Sequence, residues 1–329
     1  MNILVTGVGS LLGQGIIKSL KRSKLNYSLY GTDYFNTAVG LYWVKKGFIL
    51  PDILKKEIDE KIWLEKFINI IIENQIQIIL PGLDFEIPLF SKYKKYIESK
   101  TKAILLVSDI DVVEICNDKW KTVSFLKNKG IDIPYTVLPN DKDEIIKKIG
   151  YPFIVKPRFG HTSKEVFLVN NIEELNYSLN NCTNPIIQEY LEKKELEYTC
   201  GTTYYNNRIL SLISLRRTLK NGNTNIAYSE SCREIDEYVN SITKIFKPYG
   251  PFNIQLRMTD QGPRIFEINP RFSGTTPVRA IFGINEVEII INAIMHSKYN
   301  KTEPKILGVV MKHFDNQFIS LDEYKKVKK

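Results

Sequence analysis

The most specific chemical pattern in the chain lies in two neighbouring apolar runs near its C-terminal third. Phe252-Asn253-Ile254-Gln255 and Ile265-Phe266-Glu267-Ile268-Asn269-Pro270-Arg271 flank a hairpin turn at Thr259–Gly262. Residues two apart on a strand point to one face, so Glu267, Asn269 and Arg271 are expected to project together, with Gln255 joining them from the partner strand. One carboxylate and two amide oxygens suit Mg²⁺, with Mn²⁺ as an alternative, because such ions take few protein oxygens beside substrate phosphates. An arginine next to them suits a phosphoryl group in transfer. Lys156 ends a second apolar strand, Tyr151-Pro-Phe-Ile-Val-Lys156, and precedes a loop, Arg158 to Lys164, that could fold over phosphates. A lysine aimed inward from a strand needs an anion, since an unpaired buried ammonium is costly. A third run, Gln188-Glu189-Tyr190-Leu191, leaves its strand extended and offers backbone groups to an adenine edge. Glu195 or Glu197 beyond it could take both ribose hydroxyls.

The elements that must position these groups fall into blocks. Strands at 2–6, 28–32, 76–80 and 103–107 alternate with helical patterns at 11–22, about 60–74 and 86–99. That alternation predicts a parallel, Rossmann-like sheet. A helix at 120–129 then ends on Gly130, a residue suited to a left-handed cap. Strands are expected at 152–156, 165–169, 186–190, 197–205, 208–216, 252–258 and 263–268, with helices near 141–149, 172–180 and 232–247. A final helix (284–297) and strand (306–314) complete the chain. Short connections such as Asn206-Asn207 predict antiparallel pairs.

In this order and spacing, Lys119, Lys156, the Gln188–Leu191 hinge, Gln255, Glu267, Asn269 and Arg271 resemble the ATP-grasp superfamily, in particular its carbamoyl-phosphate-synthase-like members. Gly7-x-Gly9, Asp33 and Pro81-Gly82-Leu83-Asp84-Phe85-Glu86 likewise resemble the pre-ATP-grasp domain. The resemblance implies an α/β pre-ATP-grasp domain at 1–115 followed by two α+β subdomains clasping ATP. The small one, with the phosphate lid, covers 116–187 and the large one, with the metal site, 188–329. It implies that Lys119 and Lys156 hold phosphates and that Gln188, Glu189, Tyr190 and Leu191 bracket adenine. It also gives Glu195 or Glu197 to ribose, and Gln255, Glu267 and Asn269 to Mg²⁺. Arg271 and Lys156 are the implied catalytic cations. Arg216, Arg217 and the loop Lys220–Asn225 would face the acceptor, with Arg233 and Arg279 as secondary candidates. The implied activity is ATP-dependent ligation of a small carboxylate to an amine through an acylphosphate, and a homodimer is compatible with it. One departure stands out: the lid, Gly160 to Val166, is poor in glycine and has Glu165 where glycine is usual.

Two other readings compete. One is phosphorylation of bicarbonate or carbamate with partner subunits. The other is an NAD(P)-dependent reductase or nucleotide sensor, suggested by Gly7-x-Gly9-x-x-x-Gly13 and Asp33, although the spacing misses GxGxxG because position 12 is leucine. A net charge of +9 is spread along the chain rather than clustered, which argues against nucleic acid. Four cysteines (116, 182, 200, 232) and three histidines (161, 296, 313) form no zinc spacing. The N-terminus enters a strand at once, and no apolar run approaches the roughly 18 residues of a spanning helix. A cytoplasmic protein away from membranes is expected.

Overall fold

A computed structural model describes residues 1–160, 165–192, 196–230, 232–297, 302, 304 and 306–327. The first sheet is parallel, in the order β3-β2-β1-β4-β5. Its strands are β1 (Asn2–Val5), β2 (Ser28–Asp33), β3 (Lys46–Ile49), β4 (Ile78–Leu80) and β5 (Ile104–Leu105). Ile3, Leu4 and Val5 are fully buried, as a central strand covered on both faces requires. The crossovers carry α1 (Leu11–Lys21), α2 (Glu60–Glu73) and α3 (Glu86–Thr101), and α4 (Ile110–Asn117) leads out. The β1–α1 turn is closed by glycine: a Cβ on Gly13 would sit 2.1 Å from the Gly7 carbonyl oxygen. On α2 the inner face is set by Trp63, stacked on Phe67 at 5.2 Å, while Ile62 and Ile72 point outward.

The second sheet is antiparallel, β6-β9-β7-β8, and small. It contains β6 (Thr136–Val137), β7 (Phe153–Pro157), β8 (Phe167–Val169) and β9 (Pro185–Glu189). It is preceded by α5 (Lys119–Asn128) and backed by α6 (Lys142–Lys148) and α7 (Ile172–Asn181). The third sheet runs β14-β13-β10-β11-β12-β15. Its strands are β10 (Glu197–Tyr205), β11 (Arg208–Lys220), β12 (Asn223–Ser229), β13 (Gly250–Thr259), β14 (Gly262–Asn269) and β15 (Gly308–Met311). Helices α8 (Arg233–Phe246), α9 (Thr276–Ile281) and α10 (Glu286–His296) pack against it, and α11 (Leu321–Val327) closes the chain.

The expected acceptor loop at 220–225 is instead a two-residue turn: β11 runs on to Lys220 and pairs with β12. Asn221 and Gly222, both at positive φ (51° and 73°), form the tight hairpin link that favours Asn-Gly. The N-terminal sheet is joined to the rest through α1. Asn285 Nδ2 donates to the Ser19 carbonyl (2.9 Å), the Lys24 amide to Glu288 (3.0 Å), and the Pro277 ring lies against Gly15. No helix among the described residues is long and apolar enough to cross a membrane.

Candidate nucleotide-binding site

Between the second and third sheets lies a cavity of about 410 Å³. Ile154, Lys156, Gln188 and Glu189 line it from the small sheet, and Arg217, Gln255, Arg257, Phe266 and Glu267 from the large one. Lys119, Gly160 and Leu191 close its ends. The volume falls in the range of small-molecule sites.

Lys156 is 7% exposed and enters the cavity from β7. Its Nζ donates to Gln188 Oε1 (2.7 Å) and to the Phe266 carbonyl (3.3 Å), so it bridges the two sheets. Gln188 is itself oriented by donating from Nε2 to Thr136 Oγ1 (2.9 Å). Burial, then the neighbouring Lys119 and Arg257, push the Lys156 ammonium down to about 7, while Glu267 pulls the other way. Lys119 is also lowered by burial, against the pull of Glu267, and its Nζ donates to the Gly160 carbonyl (2.8 Å) at the base of the lid. Residues 161–164 of the lid lie outside the described residues. Glu165 is held at φ 54° and accepts from the Thr183 amide (2.7 Å).

Asp118 explains why Lys119 starts α5 in this direction. Its carboxylate caps the helix, accepting from the amides of Trp120 (2.9 Å) and Lys121 (3.3 Å), and also takes Arg158 through Nε (3.1 Å) and Nη2 (2.5 Å). Asp118→Ala removes the cap and leaves the guanidinium without its buried partner. We expect it to cost about 3 kcal/mol of unfolding free energy, read as a lower urea midpoint at unchanged slope. An unchanged midpoint would contradict this anchoring role.

On the large sheet Gln255 pairs directly with Glu267 across the hairpin. Asn269 Nδ2 donates to Glu267 Oε1 (2.9 Å). Arg217 Nη2 donates to Gln255 Oε1 (2.7 Å). Glu197 sits between two arginines: Oε1 accepts from Arg217 Nε and Nη2 (3.0 and 2.8 Å), and Oε2 from Arg257 Nε and Nη2 (3.2 and 2.9 Å). Both its oxygens are therefore engaged, a poor state for receiving a ribose diol. Glu195 lies outside the described residues.

Three expected positions change. Arg216 and Arg217 are adjacent on β11, so they face opposite sides of the sheet. Arg217 is buried in the cavity wall, whereas Arg216 pairs with Glu230 (2.7 Å) and lies 4.0 Å from the Tyr228 ring centre on the other face. Arg271 follows Pro270 beyond the end of β14, where strand alternation no longer holds. It leaves the main cavity, and its Nε donates to Asp84 (2.5 Å) in the loop between β4 and α3. With Asn269 it lines a small separate cleft of about 20 Å³. Glu189 turns its carboxylate to Arg264 Nη1 (3.0 and 3.1 Å) and the Tyr135 amide (2.8 Å). Tyr190 has the Arg257 guanidinium 5.8 Å from its ring centre, and Leu191 lines the cavity. Arg233 is exposed beside Glu237, and Arg279 is buried against Glu286 (3.0 Å). Sequence reasoning missed Arg257, although it lies two residues beyond Gln255 on the same strand face.

In the N-terminal turn, Asp33 is committed to its own loop. Oδ2 accepts from the Gly9 amide (2.8 Å), and Oδ1 from those of Tyr34 (2.7 Å) and Phe35 (3.3 Å). This arrangement disfavours the dinucleotide reading, which needs that carboxylate for a ribose.

A family model described as an ATP-grasp domain matches residues 116–275. Residues 116–275 are an ATP-grasp domain. Over 218 residues the chain is 25% identical to the carbamoyl phosphate synthase large chain of Thermoanaerobacter pseudethanolicus, covering 60% of this chain and 20% of that protein. It thus spans about a fifth of the length of that relative. The fold matches N5-carboxyaminoimidazole synthetase from Staphylococcus aureus complexed with ADP (TM-score 0.69, 19% identity, 94% of this chain and 79% of that one). It also matches L-amino acid ligase from Bacillus licheniformis (TM-score 0.68, 18% identity, 89% and 74%). In the ATP-grasp domain the cavity lies between the two antiparallel sheets, and Glu267 and Lys156 face it from opposite walls.

Proposed function

We propose that the chain is an ATP-dependent ligase that activates a small carboxylate as an acylphosphate and transfers it to an amine. The observation that carries this reading is the buried Lys156 facing Glu267 and Gln255 across a cavity of about 410 Å³. A buried ammonium with amide and carbonyl partners is a receptor for phosphate oxygens. Lys119 and Lys156 hold the phosphates, and Leu191 with the Glu189 backbone receives adenine. Because Glu197 is occupied by its two arginines, Glu195 is the better candidate for ribose.

Among the described residues the cavity lining contains no cysteine or histidine, and its amide and carboxylate oxygens fit a hard cation. Glu267, Asn269 and Gln255 would hold Mg²⁺, which supplies neutralisation of the phosphate charge. A substrate carboxylate oxygen attacks the γ-phosphorus, the bond to the β-phosphate oxygen breaks, and ADP leaves. The amine nitrogen then attacks the acyl carbon, and the C–O bond to phosphate breaks, releasing phosphate and a proton. The protein orients these groups and stabilises charge, with no covalent step on a side chain. Arg271, held by Asp84 in the small cleft beside Asn269, would meet the acyl group from that side.

The match to a carbamoyl phosphate synthase favours a second reading, in which bicarbonate or carbamate is the oxygen nucleophile. Calorimetry with MgATP and NADPH, followed by phosphate release over paired carboxylates and amines with bicarbonate as a separate arm, tests both. MgATP should bind, and one pair should release ADP and phosphate in equal amounts. Release with bicarbonate alone would favour the second reading. NADPH binding without MgATP binding would overturn both.

A further inference from the structure

The face of the third sheet that walls the nucleotide cavity continues beyond it. Glu197 pairs with Arg257 on one side, and Tyr198 with Arg216 on the other, which sets Arg217 beside Glu197. Arg217 pairs with Ala227, and Ala227 with Val310. Lys312, one residue past β15, keeps the pairing by donating its amide to the Asn225 carbonyl (2.9 Å), which continues the face of Val310. β15, which leads to Lys312, lies two strand spacings from β11, or about 10 Å.

The Lys312 side chain turns under the loop that follows Arg271. Its Nζ donates to the Gly274 carbonyl (2.9 Å). A Cβ on Gly274 would lie 2.7 Å from the Leu11 side chain and 3.9 Å from that Nζ, so the ammonium sits by the loop and the start of α1. An ammonium has three donors, and among the described residues this one has a single carbonyl partner and no carboxylate. Ser10 caps α1, whose first turn contains no acidic residue. Burial, then Arg217, Lys18 and Arg279, lower Lys312 to about 8, and the two arginines are themselves paired with Glu197 and Glu286. A half-buried ammonium with one carbonyl partner contributes poorly to folding and is well suited to receive an anion.

We propose that the substrate bound against the N-terminal sheet carries a negatively charged group, remote from its reacting atoms, that Lys312 binds. This rests on the ligase reading and names the class of its substrate: a small molecule with a second carboxylate or a phosphate ester.

The test uses the full chain saturated with MgADP and calorimetric titration of matched probes. Butyrate against succinate reports a carboxylate, and glycerate against 3-phosphoglycerate reports a phosphate ester. One doubly anionic probe should bind at least about tenfold more tightly than its singly charged match. Lys312→Met should abolish that preference, Lys312→Arg should restore it, and MgADP affinity should be unchanged in both. Equal binding within both pairs, no binding of either doubly anionic probe, or an intact preference in Lys312→Met would overturn the proposal while leaving the ligase reading in place. Failure of MgADP itself to bind would overturn the ligase reading and this inference with it.

Discussion

Glu267→Gln is expected to lower the rate of ADP and phosphate release by about a hundred- to thousandfold while leaving the fold in place. The substitution removes the negative charge at the centre of the metal-binding set and keeps the shape. Asn269 Nδ2 now donates to Glu267 Oε1 (2.9 Å) and can donate equally to a glutamine oxygen, so the local hydrogen bond survives. The Mg²⁺ concentration for half-maximal rate should rise, because a neutral amide binds a hard cation more weakly than a carboxylate. Steady-state kinetics over a Mg²⁺ series, beside a thermal melt, separate the two effects. A variant that keeps its rate and Mg²⁺ dependence would remove Glu267 from the metal set, and one that melts early would assign it to the scaffold.

The second large effect is a proton. Lys156 is held at about 7 in the free protein, against an ordinary lysine value of 10.5, by burial and by Lys119 and Arg257. Phosphate oxygens favour the ammonium, so nucleotide binding must raise this value. At pH 8 about nine-tenths of Lys156 is neutral before binding, and binding should take up about 0.9 proton; at pH 6 the uptake should fall to about 0.1. Nucleotide affinity therefore weakens as pH rises above 7. Calorimetry of MgADP in two buffers of different ionisation enthalpy measures the uptake directly. Lys156→Met should abolish it and weaken MgADP roughly tenfold to a hundredfold. A binding enthalpy at pH 8 that does not depend on the buffer would place the lysine away from the phosphates.

Much of this site could be read in the chain because it is built on strands. Gln255 and Glu267 are brought into register by the Thr259–Gly262 turn, and Lys156 enters from the end of an apolar strand, so period-two alternation and a hairpin suffice to bring these groups to one cavity. The ATP-grasp match and the fold similarities agree with the resemblance drawn from these motifs. Reading failed where alternation ended or was masked. Arg271 lies past Pro270, where backbone direction is set by the loop rather than the sheet. Residues 217–229 are polar because they face a cavity and a hairpin, which hid β12, although Asn221-Gly222 was a visible turn signal. The roles of Arg257 and Asp118 depend on partners 60 and 40 residues away, Glu197 and Arg158, and no local pattern reports such pairings.

The contact between Asp84 and Arg271, with the α1 seam beside it, has a thermodynamic consequence. The loop bearing Arg271 is shared property: one end continues the strand of Glu267, and the other packs on α1. A ligand that engages Arg271 in place of Asp84 acts four residues along the chain from Glu267. By reciprocity, the factor by which nucleotide alters affinity for the second substrate equals the factor by which that substrate alters affinity for nucleotide.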